Sequence, residues 1–160
     1  MKTASWIAAA ALTLAAGAAS AQDLKLIGLD GHGVTLTPDQ IAAMPHVTLT
    51  VTVEGKTATY RGVPLTLILA RVGAPAGKDL RGAALRDVVL VSGKDGYGVA
   101  LALAETDPLV RSDQIILADA ADGAPLPDTQ GPYRLVVQGD SRGARLARMV
   151  TEIELRKLAP

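Results

Sequence analysis

The sequence contains no cysteine and no phenylalanine, and its only tryptophan is Trp6. Without thiols there is no disulfide framework, no thiolate metal ligand and no cysteine nucleophile, so stability rests on burial of apolar side chains. With aromatics reduced to Trp6, Tyr60, Tyr97 and Tyr133, the core is built from Val, Leu, Ile and Ala. Net charge is also missing: 16 Lys and Arg balance 16 Asp and Glu. No global field exists to recruit nucleic acid or an anionic membrane surface. The two histidines, His32 and His46, are isolated and fit no zinc or haem spacing, so no metal residues are assigned.

What is present begins with a leader. Met1-Lys2 gives a positive start, Trp6 to Ala16 an apolar stretch, and Ala19-Ser20-Ala21 a small-x-small cleavage site ahead of Gln22. The apolar stretch is shorter than the roughly 18 to 20 residues that cross a bilayer. Residues 1–21 therefore read as a signal peptide, with a periplasmic or secreted product that does not insert in the membrane after cleavage. Removal of Lys2 leaves 15 basic against 16 acidic residues, a net of −1. The remaining 22–160 carry no repeat, linker or low-complexity tract and read as a single domain.

Within that domain the strand signals dominate. Val47 to Val53, VTLTVTV, alternates at period two, and the Glu54-Gly55-Lys56 turn returns it through Thr57 to Tyr60 as a hairpin. Further strands are expected at Leu24–Leu29, Asp87–Ser92, Tyr97–Leu103, Gln114–Ala118, Tyr133–Val137 and Val150–Leu155. Only two helices are expected. Thr37-Pro38-Asp39-Gln40 has the form of a capping box with proline at the first helical position, and Pro45 ends it. Pro64 to Val72 places Leu65, Ile68, Leu69 and Val72 on one helical face and stops at Gly73-Ala74-Pro75. The fold class is mostly-β α+β, with a mixed or antiparallel sheet.

Three short stretches carry chemistry. Gln138 to Met149, QGDSRGARLARM, places three arginines and two glycines after an apolar strand, a composition suited to an anion: guanidiniums donate in pairs and glycines let backbone N–H groups approach. It is equally the composition of a solvated turn whose arginines pair with Glu152 and Glu154. GDSRG matches a nucleophile-elbow pattern by letter, but that motif needs a following helix and here another strand follows, which argues against a hydrolase. Asp95-Gly96-Tyr97-Gly98 reads as a hairpin turn or a ring exposed to a planar ligand, and Gly131-Pro132-Tyr133-Arg134 as a strand entry or a site rim.

Taken in order, Tyr60-Arg61-Gly62-Val63-Pro64-Leu65, Asp95-Gly96-Tyr97-Gly98, Ile116-Leu117-Ala118, Asp122-Gly123-Ala124-Pro125-Leu126-Pro127, Gly131-Pro132-Tyr133-Arg134-Leu135-Val136-Val137 and Arg142-Gly143-Ala144-Arg145 resemble the molybdopterin-binding domain of the sulfite oxidase family. The resemblance runs from about Val47 to Leu155. It implies a sulfite-oxidase-like fold holding a pterin by its phosphate and ring edges. By position it matches Tyr97 to a tyrosine near the metal, and Arg145 and Arg148 to basic residues on the pterin or its phosphate. Arg134, Ser141 and Arg142 complete the expected cofactor-binding set, with no catalytic residue. Two positions depart from the pattern, Leu146 and Gln130, where many members have histidine.

The larger departure is at the metal. Family members hold molybdenum through a cysteine thiolate at the strand end corresponding to about Thr50–Thr52, and this chain has Val51-Thr52-Val53-Glu54-Gly55-Lys56 and turns back. The expectation is an exported, non-catalytic member. It binds a pterin-like or other small anionic ligand, or an exported or membrane-anchored partner protein, without protein-ligated molybdenum. A molybdenum-cofactor oxidoreductase, or a subunit of one, and an adaptor with a filled pocket are the alternatives.

Overall fold

The computed structural model of the chain describes residues 22–158; the expected signal peptide lies outside them. Ten strands form two five-stranded sheets, with two short helices and several 3-10 turns between them. The mostly-β α+β class expected from the strand signals is the class observed.

The first sheet has the order β2-β1-β10-β5-β6 and is mixed, because β1 (Leu24–Ile27) runs parallel to β10 (Val150–Arg156). β2 (Gly33–Leu36), β5 (Val88–Gly93) and β6 (Gly98–Ala102) pair antiparallel with their neighbours. The second sheet is antiparallel throughout: β3 (Val47–Val53), β4 (Lys56–Pro64), β7 (Ile115–Ala121) and the short β8 (Ala124–Pro125), with β9 (Arg134–Val137) also on β7.

The apolar pattern explains why the sheets stack. Leu24, Leu26, Val89, Val91, Leu101, Ile153 and Leu155 from the first sheet meet Val63, Ile115, Leu117, Leu135 and Val137 from the second in one core. Helix α2 (Leu65–Leu69) adds Leu65, Ile68 and Leu69, and α1 (Pro38–Ala42) adds Ile41. Runs such as IILA in β7 and LVV in β9 are continuous rather than alternating because both faces of these strands are covered. The far face, with Ile116, Ala118 and Val136, continues through Leu49, Val51 and Tyr60 of β3 and β4 and is covered by Leu126 and Leu146. This second, smaller cluster draws the segment after β9 across the sheet and so positions the arginines that follow.

Local signals acted largely as expected. Thr37 caps α1 through its Oγ1 and Gln40 reaches back to the Thr37 N–H, completing the capping box. The second helix is shorter than Pro64–Val72: Pro64 closes β4, and Ala70–Val72 tightens into a 3-10 turn ended by Gly73 at φ 69°. β4 runs beyond Tyr60 because Arg61 to Pro64 find partners on β7, a pairing no local pattern announces. That pairing shifts register between Arg61 and Gly62, leaving Asp119 as the unopposed residue of a bulge. The re-aimed Asp119 carboxylate takes the His46 ring at 2.9 Å and Arg61 at 3.2 Å.

Tyr133 enters the core at the start of β9, and burial, with the Asp119 and Asp23 charges adding to it, pushes its phenol up to about 12 from 10.0. The fold thus favours the neutral phenol. Its contribution to stability is complete below pH 10, the unfolded value, and is lost as pH rises through about 12. Urea unfolding across that window will show a declining midpoint that Tyr133→Phe flattens; a parallel decline in the variant contradicts the assignment.

Candidate functional site

β9 delivers Arg134 to the roofed face of the second sheet, because it alternates with Val136, which lies there. Its guanidinium rests over the Tyr60 ring, 5.4 Å from the centroid, and donates to Tyr60 Oη at 3.2 Å and to Gln130 Oε1. Nε is buried with no partner. Burial lowers the Arg134 pKa and the neighbouring Arg148 charge adds to this, with Tyr60 opposing. No carboxylate pairs with Arg134 among the described residues. Arg134 is half-buried rather than enclosed, and a partly desolvated cation with an unpartnered buried Nε and no counter-ion carries a cost that pairing would offset.

Arg134 lines a pocket of about 260 Å³ with Tyr97, Gly143, Leu146 and Arg148. Tyr97 stands on the turn before β6 and donates through Oη to the Ala144 carbonyl at 2.6 Å, clasping the segment after β9 while keeping 47% of its surface exposed. Arg148 reaches only a distant contact with Asp95, 4.0 Å, and remains half exposed. Gly93 permits the closeness of the two walls: a Cβ there meets the Arg148 carbonyl oxygen at 2.4 Å. The segment is further fastened by the Leu135 N–H to Ala147 O and the Met149 N–H to Gln130 O.

The other residues expected at a cofactor lie elsewhere. Arg145 turns to carboxylates, with Nε and Nη2 on the two Asp140 oxygens at 2.9 and 2.6 Å and Nη1 on Glu105 Oε2 at 3.0 Å. The Asp140 bond, chiefly, raises its pKa further, so the charge is fixed, and each of its three nitrogens is engaged by a carboxylate. Ser141 and Arg142 are exposed outside the pocket; the Ser141 carbonyl accepts the Glu54 N–H, and Arg142 makes no ion pair among the described residues. Glu152 and Glu154 pair with Lys25 and Arg156 instead of with these arginines. A single 3-10 turn, Gly143–Arg145, follows Ser141, and no helix does.

Glu105 is a residue that local reading misses. It holds Arg145 and also Arg111, whose Nη1 lies 3.4 Å away, and Arg111 in turn donates to the Gln138 carbonyl. The network ties the 103–113 segment to the loop after β9. Arg145→Ala strands Asp140 and Glu105 and will lower unfolding free energy by about 1–2 kcal/mol, the low end for such pairs because Arg145 is a third exposed. Lysine cannot reproduce the fork and will restore only part. Equal denaturation midpoints for wild type and Arg145→Ala contradict this role.

The position matched to the family's metal-binding cysteine is occupied differently. Thr50 and Thr52 point outward on β3, hydrogen bonded across the hairpin to Thr59 and Thr57 at 3.1 and 2.8 Å. Among the described residues no group of three His, Asp or Glu side chains is placed to hold a metal ion. Borderline-soft metals held by thiolate have no such ligand in this chain. The pocket is also below the roughly 300–1,000 Å³ usual for organic ligands. Its residues therefore fit an anionic group, such as a phosphate, and do not fit a complete metal-pterin cofactor.

A family model described as the oxidoreductase molybdopterin binding domain matches residues 14–159. None of the curated proteins matches. Among solved structures, the chain is similar in fold to the sulfane dehydrogenase SoxCD from Paracoccus pantotrophus, with a TM-score of 0.67 and 20% sequence identity. The similarity covers 86% of this chain and 39% of that one, so the chain spans well under half of its structural relative. The chain belongs to the oxidoreductase molybdopterin binding domain family.

Proposed function

We propose that this domain is an exported, non-catalytic binding module of its family, which holds a small anionic ligand, or the anionic end of a pterin-like one, in the pocket between Tyr97 and Arg148. Export rests on the leader at residues 1–21, and no described helix is long and apolar enough to cross a membrane. The observation that carries the reading is Arg134, a half-buried guanidinium whose Nε is buried and unpartnered and which has no carboxylate among the described residues, beside a second arginine at one pocket. An anion entering there offsets the cost of burying the charge and supplies the missing acceptor. Gly143 leaves room for it, and Arg148, tethered only loosely, can turn onto it.

The residues act on such a ligand by binding and orientation. Nothing in this set of arginines, tyrosine and leucine provides a base poised for proton transfer or a nucleophile, and the chain has no thiolate. The alternative of an adaptor with a filled pocket draws on Arg145, whose three nitrogens are each engaged by Asp140 or Glu105. Titration of the purified protein with a phosphorylated pterin and with inorganic phosphate, read by pterin fluorescence and calorimetry, tests the proposal. Saturable binding of either supports it; binding of neither favours the adaptor.

A further inference from the structure

β3 is the outer strand of the second sheet and the longest edge left uncovered among the described residues. The other edges are shorter or covered: β2 has four residues, β6 five, β8 two including Pro125, and the outer side of β9 is bonded through Leu135 N–H to Ala147 O. β3 pairs with β4 in unbroken register from Val47↔Gly62 to Val53↔Lys56. The two-residue Glu54-Gly55 turn makes Val53 and Lys56 a hydrogen-bonded pair, so Val51, Leu49 and Val47 also bond inward to β4. Thr48, Thr50 and Thr52 occupy the alternate positions, which explains how closely the Thr50 and Thr52 hydroxyls approach those of Thr59 and Thr57. Their backbone N–H and C=O groups point away from β4, and none has a backbone partner among the described residues.

The sequence of this edge is a near-palindrome about Thr50: Val47-Thr48-Leu49-Thr50-Val51-Thr52-Val53. We infer that β3 is a self-pairing edge, through which two copies of this chain join antiparallel about a two-fold axis at Thr50. In that register Thr50 faces Thr50, Thr48 faces Thr52, Leu49 faces Val51 and Val47 faces Val53. Every outward threonine meets a threonine, and every residue turned to the apolar cluster meets another such residue. The outward-pointing groups of Thr48, Thr50 and Thr52 become the hydrogen-bonded pairs of the new ladder, as antiparallel pairing requires. No charge lies within the strand, and beyond it Glu54 of one copy comes opposite His46 of the other, so like charges do not meet. The Glu54 N–H bond to Ser141 O marks where the free edge ends.

Exposed edges are ordinarily blunted by Lys, Pro, bulges or brevity. β3 is seven residues long with none of the first three, and the bulge in this sheet lies one strand away, between β4 and β7. A two-fold pairing consumes the edge in both copies and closes the assembly, whereas the dissimilar β8 and β9 side offers no repeat of it. The inference does not depend on what occupies the Arg134 pocket.

Directly opposite residues of a hydrogen-bonded pair have Cα atoms about 5.5 Å apart, within reach of a disulfide. Because the chain has no cysteine, Thr50→Cys introduces a single thiol at the axis. Sedimentation of the purified wild-type protein will give twice the chain mass, and mild oxidation of Thr50→Cys will give a covalent dimer. Thr48→Cys alone will not crosslink, while its mixture with Thr52→Cys will. Thr50→Lys sets two ammonium groups against each other and will shift the mass to that of one chain with an unchanged thermal midpoint of the monomer. A single-chain mass at every concentration, as expected if another protein's strand uses this edge, or crosslinking indifferent to position, or assembly beyond two copies, overturns the inference.

Discussion

Gly62→Ala will lower the unfolding free energy by about 3 kcal/mol or more, near the top of the range for single substitutions. Gly62 lies in β4 where the register against β7 shifts, and a Cβ there comes within 2.3 Å of the Leu117 carbonyl oxygen and 2.5 Å of Ala118 Cα. Both are backbone atoms of a central strand that is bonded on its other side to β8 and β9. Neither can move aside without disturbing the ladder, so the strain cannot be relieved by a rotamer change. A loss of that size takes a large share of the roughly 5–15 kcal/mol that keeps a domain folded and lowers the midpoint by roughly 10 °C. Gly33→Ala is the control: its Cβ finds only the Leu26 carbonyl oxygen, at 3.7 Å, and the change will cost little. Equal thermal midpoints for the two variants contradict the close β4–β7 approach.

Under the proposed binding role, Arg134→Met will weaken phosphate and phosphorylated-pterin binding about 10- to 100-fold, or roughly 1.4–2.8 kcal/mol, while leaving stability unchanged or raised. The two readouts diverge for one reason. Arg134 is half-buried beside Arg148 with its Nε unpartnered, so in the free protein the charge carries a desolvation cost, and in the proposed bound state it is the main attraction. Methionine fills much of the same volume without the charge, so the lost bonds to Tyr60 and Gln130 are offset by relief of the partly desolvated, unpaired charge. If the side chain were only structural, as Arg145 is, stability would fall and affinity would follow it. Loss of stability with intact binding therefore contradicts the role given to Arg134.

How far the residues announced this arrangement depends on the range of the interaction. The capping box of Thr37 and Gln40, the VTLTVTV hairpin and the apolar runs of β7 and β9 are local patterns, and each formed where its period and turn residues put it. The parallel pairing of β1 with β10 and the extension of β4 along β7 join segments far apart in the chain, and no periodicity encodes them. The short β2 was hidden because four residues give too little alternation to read.

The arginines divide the same way. Position and composition made Arg145 and Arg148 equivalent, since nothing local marks Glu105, 40 residues before Arg145, as its partner. Arg134, by contrast, alternates with Val136 in β9, and an arginine sharing the inward face of an apolar strand is a legible signal. The family pattern brought Tyr97, Arg134 and Arg148 into one list, and the structure brings those three to one pocket. Ser141, Arg142 and Arg145 sit outside it because the segment turns at Gly139 and again over the 3-10 turn at Gly143–Arg145.

The central proposal is that this chain, which has the fold of its family, holds an anion at the Arg134 pocket without a metal held by the protein. Molybdenum and pterin content of the protein purified from its native host tests this most directly, with metal read by mass spectrometry and pterin by fluorescence after oxidation. The account predicts molybdenum well below one per chain, with any pterin or phosphate present released on Arg134→Met. One molybdenum per chain, retained through purification, would contradict it and restore the oxidoreductase.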